Sequence, residues 1–272
     1  MAIKIEVLDR VPTYPGRVVL TPVSGQANTY DLVRADSPIT EGTPLNKALL
    51  DQKAYTLTGD VTVYVNGSTG NDLTGDGTSA LPFATIQKAI DALPKWLDGY
   101  TATIDIADGT YEESVVLQGF HGGILELGSA ARNVTLRGVL VNASSYIRIN
   151  TSITTTGASP LVVRHGSQVQ IGRDITLDAA SGNAIGIAVQ SGSKLGVLTN
   201  LFEMTSVTIK NCKFAAVHAS GGAMVHLGAV HGSNNATGFR ADEGGVITYG
   251  MSTLTANTAS IVTSGGRVFS DA

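Results

Sequence analysis

The chain is poor in most of what a catalytic globular protein uses. Among 272 residues there is one cysteine and one tryptophan, only 6% are aromatic, and only 15% are charged. A single cysteine, Cys212, excludes an intrachain disulfide, and its flanks Ile209 and Phe214 mark a buried small apolar side chain rather than a reactive thiol. Lys and Arg never cluster, and the formal net charge is -4, which argues against a nucleic-acid surface. The N-terminus, MAIKIEVLDR, lacks the apolar run of a signal peptide, and no apolar stretch approaches the roughly 18 residues of a membrane span. The expectation is a chain neither exported by that route nor inserted in a membrane. No phosphate loop, nucleophile elbow or dinucleotide fingerprint is present, and no cofactor is expected.

What the chain has is glycine, 32 of them, and a repeat. VVRHGSQVQIG (162–172), AVQSGSKLGVL (188–198), AVHASGGAMVHLG (216–228), GFRADEGGVITYG (238–250) and SIVTSGGRVFS (260–270) each read as strand, Gly/Ser corner, strand. Their corner glycines Gly166, Gly192, Gly222, Gly245 and Gly266 recur at a drifting period in the twenties, which is the signature of a solenoid. The predicted fold is all-β: a right-handed parallel β-helix over 101–272. A transition strand, loop and capping helix (59–100) precede it, after a small α+β domain (1–58).

Alternation assigns the faces. Val163, Val189, Val217, Phe239 and Val262 are expected to stack in one interior column, and Val169, Leu195, Val225, Ile247 and Val268 in another. Beside them, Arg164, Gln190, His218, Arg240 and Thr263 form one predicted outer column, and Gln170, Gly196, His226, Thr248 and Phe269 a second. Asn142, Asn150 and Asn211 end apolar strands, where asparagine tolerates left-handed angles and stacks its amide along a ladder. From about Thr85, Ile86, Ala89, Ile90 and Leu93 mark one side of a short helix stopped by Pro94, well placed to plug the first coil. The chain shows no matching helix near Ala272, so a partner is expected to cover that end.

In the first domain, Ile3, Ile5, Val7 and Val11 alternate as a strand, RVVLTPV and NTYDLVRAD read as two more, and a helix is predicted from Thr43 and Pro44. The words YPGRVVLTPV and EGTPLNKALLD resemble a small N-terminal module that heads phage and prophage tail appendages. The resemblance implies attachment to a tail or baseplate protein, with Tyr14, Arg17, Tyr30 and Arg34 as candidate attachment residues. Further on, YVNGS…GDGTSALPFATIQKAIDALP…IDIADGTYEESVVLQG is similar to the entry region of pectate-lyase-like β-helices. That group includes lyases, hydrolases, tailspikes and non-enzymatic adhesins, so fold does not fix activity. In the tail-appendage families a homotrimer in the virion tail, assembled in the host cytoplasm, is implied.

The chemistry-bearing residues are few. Hydrolysis of a glycoside requires two carboxyl groups about 5–5.5 Å apart for retention or about 6.5–9.5 Å apart for inversion. The coils offer Asp174, Asp178, Glu203, Asp242 and Glu243; four residues of strand separate the first two by ~13 Å, and the last two share a corner. The loop from Asn66 through Asn71 and Asp72 to Asp76 reads as turn chemistry or, less readily, an ion site. His218, His226 and His231 lie close in sequence, but the first two fall on different faces, and no metal site is expected. Trp96 is expected to pack the cap onto the first coil or, less readily, to serve as a sugar-stacking platform. Two readings remain: a tail appendage that binds a bacterial surface glycan through Arg164, Gln170, Gln190, His218, His226, Arg240 and Thr248, or a tailspike that depolymerises one. A secreted adhesin is a third, disfavoured by the lack of a signal peptide.

Overall fold

The computed structural model describes residues 11–12, 18–22, 24, 30–34, 38–40, 56–128, 133–155, 159–172, 174–180, 184–196 and 206–270. The chain separates into two compact units, residues 3–54 and the body from Tyr55 onward. In the first, strand Val18–Pro22 pairs antiparallel with Tyr30–Arg34, placing Tyr30 opposite Pro22 and Arg34 opposite Val18 at the two ends of the hairpin. Val11–Pro12 pairs with Pro38–Thr40, a short strand the sequence pattern did not mark. The expected strand from Ile3, the helix from Thr43, and Tyr14 and Arg17 lie outside the described residues.

The body is a right-handed parallel β-helix with three ladders running along it. Sheet 1 stacks Val61–Val65, Thr101–Ile106, Ile124–Leu127, Ile147–Ile149, Gln168–Ile171, Lys194–Leu195, residues 224–227, residues 246–249 and Arg267–Ser270. Sheet 2 runs from Gly109–Thr110 through Asn133–Leu136, Ser152–Thr155, Ile175–Asp178 and Ser206–Lys210 into the middle of the two long strands Met224–Ala241 and Val246–Val262. Sheet 3 takes Ser114–Gln118, Gly138–Asn142, Leu161–Arg164, Ile185–Val189 and Ala215–Ala219, then the ends of the same long strands. Rungs between the two ends pair with a neighbour on each side, so the rod needs little beyond stacked aliphatics inside.

One interior column is the expected one: Val169, Leu195, Val225, Ile247 and Val268 stack in register, extended backward by Ile147, Leu125, Ala102 and Val61. The other expected column is really two. Val163 stacks on Val189, which meets Ala219 and then Ala241 and Val262, whereas Val217 stacks between Ile187 and Phe239. The cause is the longer step in that coil, the one that also separates Gly192 from Gly222. A slip of two residues preserves which face is inward, so Val163, Val189 and Val217 are still fully buried.

The corners between sheets 3 and 1 also shift by one residue in the last two coils. The left-handed seat is taken by Gly166, Gly192 and Gly222 as expected, but then by Gly244 (φ 75°) and Gly265 (φ 79°). Gly245 and Gly266 follow the seat and fill a different need. A Cβ on Gly245 would lie 2.3 Å from the Ala219 carbonyl oxygen, and one on Gly266 would lie 2.2 Å from that of Ala241. In the preceding coils that same position holds Ser167, Ser193 and Ala223, all buried.

The first coil is closed by helix α1 (Ile86–Asp91), whose Ile86, Ala89 and Ile90 are buried along with Leu93. Burying each of the large aliphatics stabilises the closure by about 1.5–3 kcal/mol. Thr85 caps the helix, accepting from the Lys88 N–H at 3.3 Å, and the carboxylate of Glu113 accepts from the N–H groups of Ile86 (2.7 Å) and Gln87 (2.9 Å). Gln87 does the work of a missing strand: its amide oxygen accepts from Val116 N–H at 2.8 Å and its Nε2 donates to the Val116 carbonyl at 3.3 Å. The edge of the first sheet 3 strand is therefore capped by a side chain.

The far end is built differently. Residues 251–262 pair with the coil beneath them, and among the described residues no strand pairs with their other edge. Interior columns change character there: Val207 and Val230 are followed by Ser252, and Val217 and Phe239 by Ser260. Tyr249 and Leu254, both partly buried, fold over the apolar core left below. The column through Ala219 and Ala241 instead ends on Val262, expected inside but 50% exposed because no rung among the described residues lies over it.

Candidate functional site

Each sheet carries a cluster of outward polar side chains. On sheet 1, Thr103, Glu126, Arg148 and Gln170 occupy successive rungs. Thr103 donates to Glu126 Oε2 at 3.3 Å, Arg148 Nη1 pairs with Glu126 Oε1, and Arg148 Nε donates to Gln170 Oε1 at 3.2 Å. The expected outer column continues from Gln170 past Gly196 to His226, Thr248 and Phe269 in the predicted order. Glu126 and Arg148 escaped the sequence reading, although the 22-residue step that links them to Gln170 falls within the range of the corner intervals.

On sheet 2, Asp178 Oδ2 pairs with Lys210 Nζ at 3.3 Å, and its Oδ1 accepts from Asn211 Nδ2 at 2.6 Å. Asn211, in the left-handed region at φ 63°, accepts in turn from Asn234 Nδ2 at 2.8 Å, one coil on. This is the amide ladder expected of a strand-ending asparagine. Asn142 and Asn150 do not take left-handed angles; Ala143 (φ 46°) takes the seat after Asn142 instead. Cys212 sits inside beside this ladder, fully buried, with burial first and Asp178 second pushing its thiol up to about 12.

The densest arrangement lies on sheet 3. His218 pairs in the ladder with Ala188 and Arg240, not with Gln190 as expected, and Arg240 pairs with Ile261. Arg164 and Gln190 stand at the strand ends, displaced along the face by the same two-residue slip, and Thr263 belongs with Asp242. His218 Nε2 lies 3.0 Å from Asp242 Oδ2, which also accepts from Arg240 Nε at 2.7 Å, while Thr263 donates to Oδ1. The Arg240 guanidinium stands 4.8 Å from the centroid of Phe214, and Phe214 meets His218 edge-on at 5.9 Å. Burial alone raises the Asp242 carboxyl, but the hydrogen bonds from Thr263, Arg240 and His218, with the charge of Arg240, outweigh it and hold the group below the ordinary aspartate range. His218, expected on the surface, is buried by Phe214, and its Nδ1 is buried without a partner.

Of the candidate acids, Asp178 and Asp242 are far apart and already engaged. Asp178 is on sheet 2, Asp242 at the edge of sheet 3, and Glu126 on sheet 1, each tied to a cation. Asp174 (φ 55°) and Glu243 (φ 50°) occupy left-handed corners, and Glu203 lies outside the described residues. The three histidines face three directions, His231 being on sheet 2 with its Nδ1 2.6 Å from Thr253 Oγ1. Among the described residues no three His, Cys, Asp or Glu side chains gather as metal ligands. In the entry loop, Asn66 Oδ1 accepts from Ser68 and Thr69, Asn71 Oδ1 from Leu73 and Thr74, and Asp76 Oδ1 from Thr78, all through backbone N–H groups. Asp72 reaches back to the helix entrance, accepting from Ala84 and Thr85. That loop is turn chemistry, with its oxygens spent on its own backbone.

Comparison of the chain with family models, curated proteins and solved structures returns no match.

Proposed function

We propose that this protein is a structural appendage of a phage or phage-like tail that attaches through residues 1–58 and holds a glycan on the bacterial surface with its β-helix. The observation that carries the binding half is the state of three outward carboxylates: Glu126 on sheet 1, Asp178 on sheet 2 and Asp242 at the end of sheet 3 are each paired with an Arg or Lys of their own sheet. Cleavage of a glycosidic bond needs two carboxyl groups facing one bond, one of them free to carry a proton. Side chains paired along a shallow rigid face instead offer fixed hydrogen-bond donors and acceptors to sugar hydroxyls. The attachment half rests on the words YPGRVVLTPV and EGTPLNKALLD, and trimeric display would raise weak contacts by avidity.

Two measurements test this reading. Antibody labelling of intact particles should place the chain on the tail, and light scattering at micromolar concentration should give three times the chain mass. Labelling elsewhere, or a monomeric mass, contradicts the assignment of place and partner respectively.

A further inference from the structure

We infer that Trp96, held flat against Gly122 at the entry end of the β-helix, is a stacking platform for one pyranose ring of a polysaccharide. The inference rests on the glycan-binding reading above and gives it a specific site. Its starting point is an inversion of the expected packing. The segment after the capping helix buries Leu93 and Leu97, whereas Trp96 between them is 51% exposed. The core does not need the indole.

The indole is nonetheless tightly positioned. Its backbone bridges in parallel to Thr56 on one side and His121 on the other, with Leu97 N–H donating to His121 O at 2.9 Å and His121 N–H to Lys95 O at 2.9 Å. A Cβ on Gly122 would lie 2.9–3.1 Å from Cε2, Cδ2 and Cζ2 of the indole. Only a glycine allows the ring to lie on the backbone there, and Gly122 also takes φ 78°. One face of the ring is covered by Gly122, and half of the side chain faces water.

The rim supplies what a sugar needs besides an apolar face. His121 is exposed and its ring is fixed by Nδ1 at 2.8 Å from Ser145 Oγ; Tyr100, 37% exposed, stands four residues beyond the indole. A pyranose with equatorial hydroxyls presents a flat patch of axial C–H groups to an aromatic ring and its hydroxyls to the rim. Because the ring is pre-positioned, little conformational entropy is lost on contact.

Trp96 is the only tryptophan, so intrinsic fluorescence reports this site and no other. The full chain is titrated with cellotetraose and with chitotetraose, both of which have equatorial ring substituents. The free protein should show water-exposed emission quenched by acrylamide, and at least one sugar should shift it to the blue with saturation in the range of millimolar order typical of a shallow site. Gly122→Ala should weaken that binding about tenfold; Trp96→Leu, followed by calorimetry, should abolish it, and serves if the glycine variant misfolds. Free protein whose emission is already blue and shielded means that residues 3–54 or a second copy cover the ring, and overturns the inference. So does the absence of any shift with both sugars. If wild-type protein still sediments with bacterial cells in that case, the platform alone has failed; if it does not, the glycan-binding reading has failed as well.

Discussion

Tyr249 lies on Phe239 with ring centroids 4.3 Å apart and planes within 6° of parallel. Phe239 belongs to the interior of sheet 3 and Tyr249 to sheet 1 one coil later, so this stack crosses the mouth of the solenoid and covers the core where the ladders stop. Tyr249→Ala should cost about 2–3 kcal/mol, from lost burial and the aromatic pair. The loss should be local: hydrogen exchange should speed up across 246–270 while the coils from 101 to 171 keep their protection. Equal loss along the whole rod would contradict a lid role.

Neighbouring corner glycines should separate two kinds of constraint. Gly244 has open space around its Cβ position but φ 75°, so Gly244→Ala should cost about 1 kcal/mol through backbone strain. Gly245 has no such angle, but its Cβ would meet the Ala219 carbonyl at 2.3 Å, so Gly245→Ala should cost about 3 kcal/mol. Urea midpoints of the two variants measure the difference, and the reverse order would refute the register of the corners.

Cys212 should ignore thiol reagents in the folded protein. Burial and the nearby Asp178 charge push its thiol up to about 12, so thiolate is scarce at neutral pH as well as inaccessible. Labelling with a disulfide reagent should be negligible in native protein and stoichiometric in denaturant. Fast native labelling would show that sheet 2 opens at this coil.

Asp242 should make the last coils sensitive to acid. Its folded pKa is depressed relative to the unfolded chain, so its contribution to stability is present above the unfolded value of about 3.9 and is lost as pH falls through the folded value. Asp242→Asn should lower stability at neutral pH by about 1–3 kcal/mol, the worth of charge-assisted hydrogen bonds. The gap between variant and wild type should shrink below about pH 4. A gap that is constant with pH would show that the side chain matters for shape and not for charge.

The sequence was most informative where period and alternation act together. The column from Val169 to Val268 and the buried side of helix α1 follow from apolar spacing alone, since each position has one inward choice. Legibility failed where a coil changes length. The step that carries Gly192 to Gly222 moves Val217 off Val189 and His218 off Gln190, and no local residue announces which strand absorbs the extra residues. His218 shows a second limit: its burial depends on Phe214, which precedes it in chain and reaches over it through a corner that strand alternation does not describe. Trp96 shows a third, because its ring is seated on Gly122, on a rung it meets only after the chain has turned once.

On the proposed function, the outer surface holds a glycan without cutting it. Purified chain is incubated with intact bacteria and with their extracted capsular and cell-wall polysaccharides, and both sedimentation with cells and the release of new sugar ends are followed. Saturable sedimentation with cells is expected, with no new reducing ends or unsaturated sugars. Chain-dependent release of either kind of end would contradict it.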